Sequence, residues 1–200
     1  MGGCLLPCPE DADVLRTPEE PVHPEVHILA GPEWLARRLD DQTVRAVDLR
    51  DQEAYLAGHV PGAFHLDLED LGNHIDGRDN MMLSAAEFGS AMGRLGITNS
   101  DIVVAYDDHW GLPSARLVWA LHYFGHRAAV VLNGGWDRWE QEGLPISGSS
   151  APREGGLFQA RANPEVHADY EWISRHLDRE DVVLLDTRTR VEFDQGHLPR

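Results

Sequence analysis

The 200 residues contain no lysine; all seventeen basic residues are arginine. Schiff-base and lysine-nucleophile chemistry are thereby removed. Cysteine is nearly as scarce: Cys4 and Cys8 are the only two, both near the start, so no disulfide framework is implied and a reducing, cytoplasmic location is expected. Positive charge is short overall, with a formal net charge of −17. Such a balance repels phosphate backbones and anionic lipid, so neither nucleic acid nor membrane is an expected partner. No apolar run approaches the length of a membrane span. The opening Met1-Gly-Gly-Cys-Leu-Leu6 lacks the basic flank and apolar core of a signal peptide, and Leu6 stands where a myristoylation signal wants Ser or Thr. Residues 1–21 are therefore expected to form a disordered tail.

What the chain does have is an internal repeat. Asp48-Leu-Arg50 followed by Gly58-His-Val-Pro61 recurs as Asp186-Thr-Arg188 followed by Gly196-His-Leu-Pro199. Every matched pair stands 138 residues apart without a gap, and Val44 and Tyr55 meet Val182 and Phe193 in the same register. A constant offset of this kind marks a duplicated unit, of which the second copy opens but does not run its full length here. The expected organisation is a first unit at 22–144, a linker at 145–164 rich in Gly, Ser, Pro and Ala, and an incomplete second unit at 165–200.

Within the first unit short apolar runs alternate with helical patterns, the signature of an α/β fold with a parallel sheet flanked by helices. Strands are expected at 44–49, 63–66, 102–106 and 129–132. Helices are expected from Pro32, over 53–57, from the capping box Ser84-Ala-Ala-Glu87 to Leu95 with Gly96 as the exit, over 113–124 and over 136–142. In the second copy a helix is expected over 170–177 and a strand over 182–185.

The chemically informative segment runs from Ile102 to Phe124. A strand that passes through a short loop into a helix N-terminus aims its loop amides and first-turn N–H groups at one spot, forming an anion cradle. A cysteine at the start of such a loop would have its thiolate stabilised. The residue there is Asp107, followed by Asp108, His109, Trp110 and Gly111.

The set Asp48-Leu-Arg50, Gly58-His-Val-Pro-Gly-Ala63, the strand Val103-Val-Ala-Tyr106 before the loop, and Leu132-Asn-Gly-Gly-Trp136 with Trp139 resembles the rhodanese family, specifically its tandem-domain thiosulfate and 3-mercaptopyruvate sulfurtransferases. The resemblance implies a rhodanese-like fold and transfer of sulfane sulfur from a small-molecule donor to a thiophilic acceptor such as cyanide, through a cysteine persulfide and without a cofactor. It places the catalytic cysteine of an active unit at the position of Asp107, so the first unit is implied to be the silent one. An intact enzyme would then carry its cysteine 138 residues after Asp107, near position 245. A carboxylate about 4 Å from an anionic donor would repel it by roughly 4 kcal/mol at an effective dielectric near 20. No catalytic residue is assigned within the 200 residues. The family pattern points to Arg188 as a donor-binding residue, with a structural arginine, like Arg50, as the equal alternative. Where the mercaptopyruvate-type pattern has a further arginine, this chain has Glu192, which tilts the expectation towards thiosulfate or another donor. The competing functional reading is a non-catalytic binding or regulatory module.

Other groupings carry less. His59, His65, Asp67 and His74 have no spacing that fits defined metal-ligand geometry, and His59 belongs to the repeated motif, so a turn histidine is expected and no metal site. His122 and His126 sit at a helix end, where a cation is favoured without any metal. Trp34, Trp119, Trp136 and Trp139 are expected in packing. An aspartyl nucleophile at Asp107 or Asp108 would want magnesium ligands and a cation close by; the nearest basic candidates are His109 and Arg116.

Overall fold

The computed structural model describes residues 28–75, 78–150 and 155–197. The tail expected at 1–21, with Cys4 and Cys8, lies outside them. In chain order the elements are β1 (Leu29–Ala30), α1 (Pro32–Ala36), β2 (Val44–Asp48), α2 (Gln52–Ala57), β3 (Phe64–His65), β4 (Gly72–Ile75), β5 (Arg78–Met82), α3 (Ala85–Arg94), β6 (Ile102–Tyr106), α4 (Leu112–Tyr123), β7 (Ala129–Leu132), α5 (Gly135–Gln141), α6 (Tyr170–His176) and α7 (Arg190–Gln195). Five strands form one parallel sheet in the order β1-β7-β6-β2-β3. β6 lies at its centre, paired along its length with β2 from Val44–Ile102 to Asp48–Tyr106.

The sheet is covered on both faces, so its strands read as continuous apolar runs. Alternation along β6 sends Val103 and Ala105 to one side, where Phe88 and Met92 of α3 and Leu117 and Leu121 of α4 pack. Val104 and Tyr106 face the other side, against Trp34 and Leu35 of α1 and Trp136 and Trp139 of α5. Three of the four tryptophans expected in packing are thus buried, and Trp119 is partly buried against the α3–α4 layer. The capping box forms as its spacing predicts: the Ser84 hydroxyl accepts from the Glu87 amide at 3.3 Å while the Ser84 amide donates to the Glu87 carboxylate at 2.8 Å.

Several features differ from the sequence reading. The two-residue edge strand β1 and the antiparallel hairpin β4–β5 are additional elements. The described residues of the 145–164 stretch form no strand or α-helix, and they are held against the body of residues 28–144. Gly156 donates to the Gly93 carbonyl at 2.8 Å, Phe158 enters the α3–α4 layer, and the amides of Arg161 and Asn163 donate to the carbonyls of Phe124 and Tyr123 at the end of α4. The approach is close enough that a Cβ on Gly93 would lie 2.6 Å from the Gly156 oxygen, which explains a glycine inside a helix.

Over 165–197 α6 forms where expected, but the expected strand at 182–185 does not; these residues have no ladder partner among the described residues. The physical reason is visible at the earlier occurrence of the motif, where the matching β2 is buried between β3 and β6. Among the described residues nothing equivalent flanks Val182–Leu185, and Leu185 remains 83% exposed while its counterpart Val47 is fully buried. A strand gains its hydrogen bonds from neighbours and cannot form alone.

Burial also corrects the expectation for His126. It lies beyond the end of α4 under Phe158, ring to ring at 5.5 Å, and desolvation holds its imidazole below the ordinary histidine value against the opposing pull of the Ala128 backbone and Asp101. The folded state therefore disfavours its charged form. The stabilisation is fully present above the unfolded value of about 6.5 and is lost as pH falls from there through the lowered folded value. The urea midpoint of the native protein should fall between pH 7.5 and 5 by more than that of His126→Leu; parallel pH profiles would refute this.

Candidate functional site

The loop Asp107–Gly111 leaves β6 at the carboxyl edge of the parallel sheet, the edge at which such folds place their sites. Trp110 and Gly111 both have positive φ, at 64° and 86°, and this turn brings the amides of the loop and of the first turn of α4 onto one point. The cradle expected from sequence is therefore formed, and its occupant is Asp107 itself. One carboxylate oxygen accepts from the amides of His109 at 2.7 Å and Gly111 at 2.9 Å. The other accepts from the Ser114 amide at 2.9 Å and, closer still, from the Ser114 hydroxyl. The side chain is buried, and the Asp107 carbonyl is tied to α5 by the Trp136 amide at 2.9 Å. Gly135 is required there, because a Cβ would overlap the Asp107 carbonyl oxygen. Sequence reasoning assigned Asp107 a repulsive role; the geometry adds a more direct one, since the donors that would hold an anion are already engaged.

Behind the loop lies a buried polar network that sequence reasoning recognised only in part. Arg50 forms a bidentate pair with Asp48, with Nε at 3.1 and 3.2 Å and one Nη at 2.7 Å, and the same Nη reaches the Gly58 carbonyl at 2.7 Å. The guanidinium lies 3.8 Å over the Trp136 ring. Tyr106 donates its hydroxyl to Asp48 at 2.7 Å and accepts from the Val60 amide at 3.1 Å. Burial opposes the charge on Arg50, but Asp48 outweighs it and holds the guanidinium above its ordinary value. Burial and the adjacent Asp48 carboxylate push the Tyr106 hydroxyl well up, so it stays a donor. This network fixes the end of β6 next to Asp107. In the sequence Tyr106 is marked only as the last residue of the apolar, family-like strand Val103–Tyr106.

The later occurrence of the repeated motif, at 186–197, has the same local arrangement. Arg188 binds Asp186 through Nε at 3.0 and 3.2 Å and one Nη at 2.6 Å, and that Nη reaches the Gly196 carbonyl at 2.8 Å. α7 occupies the positions of α2 shifted by 138. His197 accompanies Phe193 as His59 accompanies Tyr55, with ring centroids 4.2 and 3.9 Å apart. The hydrogen bond from Arg188 lowers the Asp186 carboxyl to about 2. Unlike Arg50, Arg188 is exposed, with no tyrosine or tryptophan against it among the described contacts. The structure does not bring Arg188 and Asp107 into a common contact.

The remaining candidates resolve into local roles. His59 is buried, with its ring nitrogens against the carbonyls of Tyr55 at 2.7 Å and Ser149 at 3.2 Å, and its backbone bridges Ser147. His65 meets the Arg50 carbonyl at 2.8 Å, and Asp67 caps the Glu69 amide. The side chain of His74 lies outside the described part. Among the described residues no group of His, Cys, Asp and Glu is arranged to hold a metal ion. Arg116 lies over Trp119 at 5.2 Å, and Asp108 contacts His109 at 2.5 Å. No described helix is long and apolar enough to cross a membrane. Outside the cradle is a cavity of about 420 Å³ bordered by Leu29, Asp108, Trp110, Asn133 and Asp137.

The matches to known proteins cover this same region. Residues 31–142 match the family model of the rhodanese-like domain. Thiosulfate sulfurtransferase of Bos taurus is 32% identical over 161 residues, spanning 74% of this chain and 54% of that protein. 3-Mercaptopyruvate sulfurtransferase of Rattus norvegicus is 35% identical over 143 residues, spanning 70% and 48%. The chain thus spans about half the length of these curated relatives. The crystal structure of SseA from Escherichia coli, a 3-mercaptopyruvate enzyme with the rhodanese fold, superposes with a TM-score of 0.76 at 27% identity, covering 82% of this chain and 67% of that one. A family model that takes in more than half of the chain, from the exit of β1 to the end of α5 and so across the filled cradle and its buried support, establishes that the chain belongs to the rhodanese family.

Proposed function

We propose that residues 22–144 are the silent first unit of a tandem sulfurtransferase, and that residues from about 165 onward belong to a second unit in which the transfer takes place. The observation that carries the reading is the Asp107 carboxylate seated in the cradle where the family's active units carry cysteine. In the proposed reaction a cysteine thiolate of the second unit attacks the sulfane sulfur of a donor such as thiosulfate. The S–S bond of the donor breaks, sulfite leaves with the bonding pair, and the cysteine persulfide then yields its outer sulfur to cyanide, regenerating the thiolate. The donor class fits a family that uses anionic sulfur compounds, and Glu192 favours thiosulfate over mercaptopyruvate. The copied Asp186–Arg188–Gly196 geometry supports a second unit. The contact of Arg188 with the donor belongs to the proposal in restricted form: Nε and one Nη hold Asp186 and Gly196, so a donor would meet the other Nη.

The reading predicts that the 200-residue chain forms no thiocyanate from thiosulfate or mercaptopyruvate and cyanide, since Cys4 and Cys8 are its only thiols. Thiocyanate production that survives replacement of both by serine would overturn it. Production abolished by those replacements would assign the chemistry to the N-terminal cysteines instead.

A further inference from the structure

Residues 155–163 cross the outside of the α3–α4 layer as a strap that forms neither helix nor strand. Its backbone is tied at both ends and once between. The Gly156 amide donates to the Gly93 carbonyl, the Gln159 amide to the Asn99 side chain at 2.7 Å, and the Arg161 and Asn163 amides to Phe124 and Tyr123 at 3.0 and 2.6 Å. Glycine at position 89 lets the strap lie close, since a Cβ there would stand 2.8 Å from the Phe158 oxygen. Leu157 is exposed, so Phe158 is the buried apolar anchor of the strap. Its ring meets Phe88 edge-on at 5.9 Å and His126 at 5.5 Å.

His126 is thereby sealed at 3% exposure, and its Nε2 has no hydrogen-bond partner among the described residues. That arrangement suits a neutral ring and not a charged one, because an imidazolium carries a second N–H that must be satisfied or hydrated. Asp101 favours the charge, but its carboxylate is held by the Thr98 amide and hydroxyl at 2.7 and 3.0 Å, with Arg45 at 3.7 Å. His122, one turn earlier on α4, opposes it, and Arg127 and Arg161 beside the turn are exposed bases of the same sign. The strap has no carboxylate within 155–163, and Glu87, the one acid of α3, is engaged in the capping box.

We propose that the strap is a pH-sensitive latch: a proton on His126 expels Phe158 and lifts residues 155–163 from α3 and α4 while the parallel sheet stays folded. Opening is local because it breaks a few backbone hydrogen bonds and one aromatic cluster, whereas β6 is locked between β2 and β7. The sign follows from burial. The closed strap holds the neutral ring and the open strap lets water reach either form, so the latch is shut above the ordinary histidine value of about 6.5 and opens as pH falls below it. Residues from 164 onward follow the strap along the chain, so its release also loosens their attachment to the end of α4.

Amide hydrogen exchange of the whole chain, followed by NMR from pH 7.5 to 5, tests the latch, with each rate divided into the intrinsic rate at that pH to give a protection factor. The amides of Gly156, Arg161 and Asn163 should be about tenfold or more less protected than those of β6 throughout. Their protection should fall by up to about tenfold per pH unit below about 6.5. His126→Gln and His126→Leu, neither of which titrates, should abolish that fall. Phe158→Ala removes the anchor with His126 in place, and should leave the strap amides unprotected at every pH while β6 stays protected. Equal protection of strap and β6 amides overturns the proposal, as does a pH dependence that survives the His126 variants or a strap that stays protected in Phe158→Ala.

Discussion

Asp107→Ala is expected to lower the unfolding free energy by about 3–5 kcal/mol, and millimolar formate or acetate should restore part of the loss. Removing the carboxylate strands the His109, Gly111 and Ser114 amides and the Ser114 hydroxyl in a buried site, and each unsatisfied donor costs about 1–3 kcal/mol. The sum stays below the arithmetic maximum because water enters through the mouth of the cradle. Small carboxylates would bind the vacated donors in the folded state alone, stabilising it by mass action. Urea titrations of native and variant protein with and without formate measure both effects. A variant within 1 kcal/mol of the native protein and indifferent to formate would show that the cradle does not depend on its anion. Asp107→Cys, read by alkylation rate against pH, should place a thiol in the same field with a pKa below the ordinary value of about 8.5, although Asp108 opposes the shift.

The second large effect separates the two occurrences of the Asp-x-Arg motif. Arg50→Ala should cost about 3–5 kcal/mol, because it leaves the Asp48 carboxylate buried with only Tyr106 and the Arg50-position amide as donors. Arg188→Ala removes the same set of hydrogen bonds from a solvent-exposed pair and should leave the urea midpoint unchanged. Identical local geometry thus yields opposite outcomes, decided by what surrounds it. A shift of the midpoint by Arg188→Ala comparable with that by Arg50→Ala would mean that residues beyond 165 are integrated with the first unit's core.

The parts of the fold legible in the sequence are those where local signals and burial agree. β6 and β7 match their expected bounds because strands at the centre of a covered parallel sheet are unbroken apolar runs, and α3 announces itself by Ser84 and Glu87. The hairpin β4–β5 was hidden because its residues are mostly polar and show no clean alternation, although Asp76-Gly77 is a hairpin dipeptide. The strand expected at 182–185 exposes the opposite failure: its apolar pattern is right for a sheet, but pattern alone supplies no partner. At the site, Asp107 and the cradle followed from the strand-loop-helix arrangement. That the carboxylate turns inward onto the Ser114 hydroxyl did not, because the choice depends on the left-handed turn at Trp110 and Gly111. The union of Tyr106, Asp48, Arg50 and Trp136 was illegible for a similar reason: three elements far apart in sequence bring it together.

The closure of Arg50 onto Gly58, and of Arg188 onto Gly196, bears on the order in which the chain acquires structure. Each closure spans eight residues, and the second exists without a sheet around it. Closing so short a segment takes tens of nanoseconds and little chain entropy. The parallel pairing of β2 with β6, by contrast, joins residues 58 positions apart and must wait for a long loop to close. The turn and α2 would therefore come into being first as a small hook, and β6 would arrive later to find Asp48 already pointing at the place that the Tyr106 hydroxyl will take.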